Sequence, residues 1–338
     1  MRARRLRAGL KGWGGVGAMA AVCALALAFV LLLPRTQPHA TGDPAPGGQR
    51  TAYATRAKAD TCKDSEAHNR SLSPSSADGP TLGAIRSRGY LSVGVDQNSY
   101  RWGYRNPNNS TGELEGFDID LAHRIAKDIL GDENKVQFRA IPTNERIPAI
   151  RSGRVDMVVR TMTITCDRLR QVAFSAPYFL TGQQVLAPKT SEITGYDASL
   201  AGRKVCSGTG TTAYDHLSAD KKNGRLPAST DIATTVPNQL DCLVRLQLGE
   251  VDAVVTDSAL AASQAAQDPA VALKGTSFTR EFYGVAMKLG ADDLVRRVNR
   301  TLEDYRKDGG WKESYDKWLS ATLGRESSAA TPPTASYR

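Results

Sequence analysis

An α/β chain of two similar lobes is the fold class this sequence predicts, and three observations predict it. The first is an internal echo: RIPAIRSGRVDMVVRTMTI, from Arg146, is matched about a hundred residues later by CLVRLQLGEVDAVVTDSAL, from Cys242. Each copy reads as an amphipathic helix, a Gly turn, a buried strand opening on Val-Asp, and a polar loop at the strand's carboxyl end. The second is another pair in the same order, GYLSVGVDQNSY from Gly89 and GRKVCSGTGTT from Gly202, each a short apolar strand running into a loop. Loops of that kind, at strand carboxyl ends, are where α/β sheets hold ligands. The third is size: 338 residues suffice for one to three domains with a sizeable core, and 23% charged residues beside 41% apolar ones mark a globular chain.

The elements follow in chain order. Arg2, Arg4, Arg5, Arg7 and Lys11 precede a stretch without charges from Gly12 to Pro34, whose apolar part is VGAMAAVCALALAFVLLL. A basic leader before such a run is an export signal with positive-inside flanks. It is longer than a cleavable apolar region and near the length that spans a bilayer. No A-x-A site follows closely, since Ala52-Tyr53-Ala54 is too far downstream, and Cys23 lies mid-segment, which suits a lipoprotein poorly. Residues 1–34 are therefore expected to be an uncleaved signal anchor, with a cleaved signal peptide the alternative. Either way the globular part lies outside the cytoplasm. Much of the net charge of +9 belongs to this leader, and no aromatic-interleaved basic stripe follows, so nucleic acid is not an expected partner. Residues 35–81, rich in Pro, Gly, Ser, Thr and Ala, read as a flexible tether, and the tail 324–338 as disordered.

TMTITCDRLRQVAFSAPY, residues 161 to 178, carries the most chemistry. It offers the hydroxyls of Thr161, Thr163 and Thr165 and the guanidinium of Arg168 just after a strand. A planar Arg fork takes both oxygens of a carboxylate, and hydroxyls or loop N–H groups fill the remaining lone pairs. A Thr-rich strand end with a surface Arg would look the same. Setting Cys23 aside leaves Cys62, Cys166, Cys206 and Cys242, an even set in an oxidising compartment with three possible pairings. Cys206 ends the first strand of the second lobe and Cys242 begins a helix of the same lobe, which favours Cys206–Cys242 and leaves Cys62–Cys166. No C-x-x-C and no clustered His accompany them, so neither a metal nor another cofactor is expected.

LSVGVDQNSYRWGYR, GELEGFDIDLAHRIAKDIL, RIPAIRSGRVDMVVRTMTIT, VAFSAPYF, GRKVCSGTGTT, GEVDAVVTDSALAA and FYGVAMKLGADDLVRRVNRTLEDYRKDGGWKESYDKWL follow in this order over residues 82 to 320. Together they resemble the polar amino-acid-binding proteins of ABC importers, in the glutamate/aspartate/glutamine branch. The resemblance implies a two-lobed periplasmic-binding-protein-like fold of type II. Lobe 1 would comprise residues 82–185 and 282–323, and lobe 2 residues 190–280. The crossings would run through QQVLAPK and YGVAMK, with hinge closure on the ligand. It further implies that Arg168 binds the ligand α-carboxylate with Thr163 and Thr161 as partners. Gly210, Thr211 and Thr212 would form a helix N-terminal loop that favours an anion, and Asp257 would hold the α-ammonium. Asp257 could otherwise be a helix N-cap before SALAASQAA. Arg146 matches an arginine that reaches a side-chain carboxylate, Arg160 adds positive potential, and Tyr100 and Trp102 lie on the loop whose aromatics pack on ligand. Arginines rather than acids here disfavour a basic ligand by like-charge repulsion.

The expected function is thus a monomeric, non-enzymatic binding protein that presents an acidic amino acid, glutamate ahead of aspartate or glutamine, to an ABC permease. Its ATPase would be a separate subunit, because no P-loop motif appears. The competing readings are a sensor for a membrane signalling partner and a cyclohexadienyl-dehydratase-like lyase.

Overall fold

A computed structural model describes residues 62, 63, 67, 71–108, 110 and 112–338. The expected signal segment and most of the expected tether lie outside the described residues. Helix α1 (Pro80–Arg88) starts with proline in its first turn, where a missing N–H costs nothing, and ends on Gly89 in the left-handed region. Strand β1 (Leu91–Val95) follows, then three short strands, β2 (Asn98–Ser99), β3 (Gly103–Arg105) and β4 (Leu114–Glu115). Helix α2 (Phe117–Leu130) carries Asp118 and Asp120 in its first turn and Lys127 in its last, both favourable to the helix dipole. Its apolar residues Phe117, Leu121, Ile125 and Ile129 are buried against β1 and the helices that follow. Then come β5 (Val136–Ala140), α3 (Arg146–Arg151), β6 (Met157–Val158), the helical turn α4 (Cys166–Leu169) and β7 (Ala173–Phe174).

Strand β8 (Phe179–Thr181) leads out of this lobe, and β9 (Gln183–Pro188), β10 (Val205–Gly208), α5 (Thr212–Lys222), β11 (Thr235–Val236), α6 (Gln239–Gln247), β12 (Ala253–Asp257), α7 (Ser258–Gln267) and β13 (Val271–Lys274) build the second. Strand β14 (Glu281–Tyr283) returns to β15 (Ala286–Met287), and α8 (Asp292–Lys307), α9 (Gly310–Trp318) and α10 (Ser320–Leu323) close lobe 1.

The two five-stranded sheets have matching orders, β5-β1-β6-β15-β7 and β11-β10-β12-β9-β13. In each, the first three strands are parallel, and the fourth, contributed from across the hinge, runs antiparallel to its neighbours. The sequence echoes occupy equivalent places: α3–β6 corresponds to α6–β12, and β1 to β10. The fold is the expected two-lobed one of type II.

The crossings lie elsewhere than expected. They are β8 and β14, paired antiparallel with Thr181 opposite Glu281 and Tyr283 opposite Phe179. QQVLAP is a buried lobe 2 strand, so lobe 1 ends near Thr181 rather than at residue 185. An apolar hinge strand and an apolar core strand share the same composition, and sequence cannot separate them. The two crossings approach closely because Gly182 stands between β8 and β9; a Cβ there would lie 2.0 Å from the Thr279 carbonyl oxygen.

Two segments expected to be unstructured are packed. From Ser71 onward the chain runs along α8: Asn299 Nδ2 donates to Ser71 Oγ and to the Leu72 carbonyl, both at 2.6 Å, and Arg297 donates to the Ser76 carbonyl at 2.6 Å. The tail returns to the same place, with Ser71 bridged to Tyr337 and the Arg338 N–H donating to the Ser71 carbonyl at 3.1 Å. Their backbone groups are satisfied by side chains of α8 and by each other rather than by a periodic element, so composition alone mimics a linker.

Candidate functional site

The loop Thr161–Thr165 between β6 and α4 is held in an uncommon shape. Thr161 has φ of 41°, a costly position for a β-branched residue. Its N–H donates to Asp118 Oδ2 at 3.0 Å, and Asp118 Oδ1 accepts from the Tyr178 hydroxyl at 2.9 Å. Backbone bonds from Ile164 to Phe282 (2.9 Å) and from Gly284 to Met162 (3.1 Å) tie the loop to the return crossing. Thr165 then caps α4 by accepting from the Arg168 N–H at 3.2 Å, which aims Arg168 back over the loop, where Nη1 donates to the Thr163 carbonyl at 2.7 Å. A disulfide from Cys62 to Cys166 fastens the start of α4, and a second joins Cys206 to Cys242 inside lobe 2.

The facing wall comes from lobe 2. Thr211 caps α5 by accepting from the Tyr214 N–H at 3.3 Å, and the first N–H groups of that helix are free of intrahelical partners. Arg146 and Arg168 both reach across and donate to the Gly210 carbonyl at 3.2 Å. Thr143 adds a bond to Gln239 at 3.2 Å, and its N–H donates to the Pro237 carbonyl at 3.0 Å. The two lobes are closed on one another.

Between them lies a cavity with about 230 Å³ of empty space, lined by Arg146, Thr161, Thr163, Arg168, Gln183, Thr211, Thr212, Ala213, Gln239, Thr256 and Asp257. Seven of the residues singled out in the sequence thus share one small polar chamber. Four do not. Arg160 is fully buried and paired with Asp96 at 2.9 Å, with further bonds to Thr143 Oγ1 (2.9 Å) and Asn238 Oδ1 (3.1 Å), so its charge is neutralised inside the protein. Gly210 lies at the cavity's outer edge and presents its carbonyl to the two arginines. Trp102 is a core residue, edge-on to Phe117, Phe179 and Tyr283. Tyr100 lines a separate groove with Tyr104 and Leu240. The aromatic loop turns away from the cavity because its backbone carbonyls at Arg101 and Trp102 cap the start of α2.

Several groups escaped sequence reasoning. Gln183, read as part of a crossing, donates through Nε2 to Asp257, Glu281 and Thr212. Tyr283 donates to the other Asp257 oxygen. Glu281 is buried beside the chamber, and its Oε2 accepts from the hydroxyls of both Thr163 and Thr212 at 2.7 Å. The available signal was position: Tyr283 opens YGVAMK, and Glu281 stands two residues before it.

The electrostatics follow from burial. Asp257 is pushed up to about 7, first by burial and then by the negative Glu281 beside it. Asp118 is also raised to about 7, chiefly by burial. Burial alone would raise Glu281, but His216 beside it and hydrogen bonds from Thr163, Thr212 and Gln183 outweigh that and hold its carboxyl below the usual range. Burial, then the neighbouring charges of Arg168 and Arg160, lower Arg146 well below an ordinary arginine. Arg146 donates only to backbone carbonyls, of Thr143 (2.8 Å), Arg160 (3.4 Å) and Gly210 (3.2 Å), and pairs with no carboxylate among the described residues.

A chamber with two arginines on one wall, Asp257 on the other and hydroxyls on both, sealed by two lobes, suits a small zwitterion. Comparison with known proteins agrees: residues 91–321 match the model for bacterial extracellular solute-binding proteins, family 3. The chain belongs to this family. The solute-binding protein is 37% identical to the ABC transporter glutamine-binding protein GlnH of Bacillus subtilis (strain 168), over 71% of this chain and 84% of that one. Among solved structures, an ancestral arginine-binding protein bound to glutamine superposes with a TM-score of 0.61 at 36% identity, covering 69% of this chain and 98% of that one. An ancestral amino-acid-binding protein described as a precursor of cyclohexadienyl dehydratase superposes at 0.62 with 33% identity, covering 71% and 100%.

Proposed function

We propose that this solute-binding protein captures an acidic amino acid, glutamate ahead of aspartate, outside the cytoplasm and delivers it to an ABC permease. Arg168 and the N-terminal N–H groups of α5 take the α-carboxylate, Asp257 takes the α-ammonium, and Arg146 takes the side-chain carboxylate. The observation that carries the acidic ligand is Arg146: a guanidinium 3% exposed lines the cavity with only carbonyl partners. A buried cation facing dipoles alone is costly, and a ligand carboxylate relieves that cost. Glutamine is the second reading. It is favoured by the glutamine-binding relative at 37% identity and by the amide of Gln239 in the cavity wall. We place the chain among binding proteins rather than lyases because the cavity offers arginines from one lobe and Asp257 from the other, an arrangement suited to holding a zwitterion.

Calorimetric titration with glutamate, aspartate, glutamine, asparagine and arginine tests the reading, and no heat with any acidic or amide amino acid would sink it. Arg168→Ala should abolish binding of all of them. Arg146→Ala should weaken glutamate relative to glutamine by roughly tenfold or more, the scale of one charge-assisted hydrogen bond. Equal losses for both ligands would remove Arg146 from selectivity.

A further inference from the structure

Glu281 lies behind the cavity wall rather than in it, yet it organises that wall. A threonine hydroxyl has one proton to donate and lone pairs to accept with. The hydroxyls of Thr163 and Thr212 both spend that proton on Glu281 Oε2, at 2.7 Å each. Gln183 Nε2 donates to Glu281 Oε1 at 3.0 Å and to Thr212 Oγ1 at 3.1 Å, which leaves Gln183 Oε1, fully buried, without a partner among the described residues. The wall around Asp257 is therefore built of acceptors: two hydroxyl oxygens with their protons turned away, one amide oxygen and a carboxylate.

We infer that Glu281 is a positioning residue for the ligand's α-ammonium, because by drawing the Thr163 and Thr212 protons to itself it presents their oxygens to the cavity as acceptors. This rests on the amino-acid reading given above and sharpens it. The two hydroxyls do not help Arg168 grip the α-carboxylate; they face the other end of the ligand. A dicarboxylate or 2-oxo acid that lacks the amino group meets only acceptors there and is rejected, since unpaired buried acceptors discriminate strongly. Glu281 thereby makes the site selective for amino acids over their deaminated counterparts.

The test is calorimetry on wild type and Glu281→Gln with whichever of L-glutamate or L-glutamine binds, and with glutarate or glutaramate as its deaminated analogue, by competition where affinity is low. The glutamine side chain can donate as well as accept, so the hydroxyls lose their fixed orientation and the wall loses a charge. The amino acid should weaken by about 100-fold and the analogue by less than about threefold, the pattern of a broken site-specific hydrogen-bond set. Equal weakening of both ligands overturns the proposal and leaves Glu281 a brace of the hinge. A crystal structure of the wild-type complex gives an independent readout. Hydroxyls of Thr163 and Thr212 that touch the ammonium and keep Glu281 support the role, and hydroxyls turned to the ligand carboxylate overturn it. Failure of wild type to bind any amino acid is a separate result, which strikes the functional reading before the variant is made.

Discussion

Asp257 gives the site a pH response that a surface aspartate would not. Ligand-free, its carboxyl titrates near 7 because burial and Glu281 disfavour its charge. A bound ammonium favours the charged form, so the complex holds that proton far less tightly. Binding then releases a proton between about pH 7 and the lower pKa of the complex, and within that window affinity falls by up to tenfold per unit on acidification, or up to about 100-fold from pH 7 to pH 5. Above pH 8 it is flat. Calorimetry in buffers of different ionisation enthalpy measures the released proton, and Asp257→Asn should remove the slope; a slope that persists in the variant assigns it elsewhere. The ligand-free fold responds in the opposite direction, because there the native state is the one that holds the extra protons. Native Asp118 and Asp257 bind protons that the unfolded chain releases between about pH 4 and 7, so their contribution to stability is lost as pH rises through that window. At this scale the sequence was legible where a residue acts through its own loop. Arg168, Thr163 and Asp257 sit at strand ends and could be picked out there. Arg160 could not be separated from Arg146, because its neutralising partner Asp96 arrives from another strand end.

The two disulfides pin different elements, and their losses should differ. Cys62–Cys166 closes 104 residues and clamps the first residue of α4, two positions before Arg168. Cys206–Cys242 closes 36 residues and ties β10 to α6 within the lobe 2 core. Removing either should cost about 2–5 kcal/mol of stability, with the longer loop toward the upper end. Only Cys62→Ser/Cys166→Ser should also weaken ligand affinity at a temperature where the fold is intact. Chemical denaturation and calorimetry on the two double variants check this, and an equal effect on affinity would uncouple α4 from the clamp. Element-level reading from sequence worked for the paired helix–Gly–strand units, whose periodicity is internal. It failed for β9, mistaken for a crossing, and for the Ser71 segment and tail, whose hydrogen bonds run to α8.

Closure of the whole molecule rests on few polar bonds between the lobes: Arg146 and Arg168 to Gly210, Thr143 to Gln239 and Pro237, and Arg160 to Asn238. Each contributes about 0.5–1.5 kcal/mol net, a modest total against the entropy of two hinged bodies. A ligand that touches both walls adds differential affinity for the closed form. Saturation at 1,000 times Kd should stabilise the fold by about 4 kcal/mol, and Tm should rise by roughly 8–16 °C for a domain of this size. Small-angle scattering should show a smaller radius of gyration with ligand than without. An unchanged radius together with a full Tm shift would mean that the lobes are closed before ligand arrives.

Local patterns in the chain determined the lobes, the strand-end loops, the pairing of helix with strand, and the charged and hydroxyl residues placed at the strand ends. All of these depend on neighbours within a dozen positions. Tertiary structure alone decided which arginine lines the cavity and which is paired inside the protein, which aromatic is core, where the chain crosses the hinge, and which way the threonine protons point. Those outcomes are set by Asp96, Phe179, Thr279 and Glu281, residues remote in sequence whose burial brings them within hydrogen-bond or van der Waals distance. In a closed, low-dielectric cleft such partners outweigh any local preference.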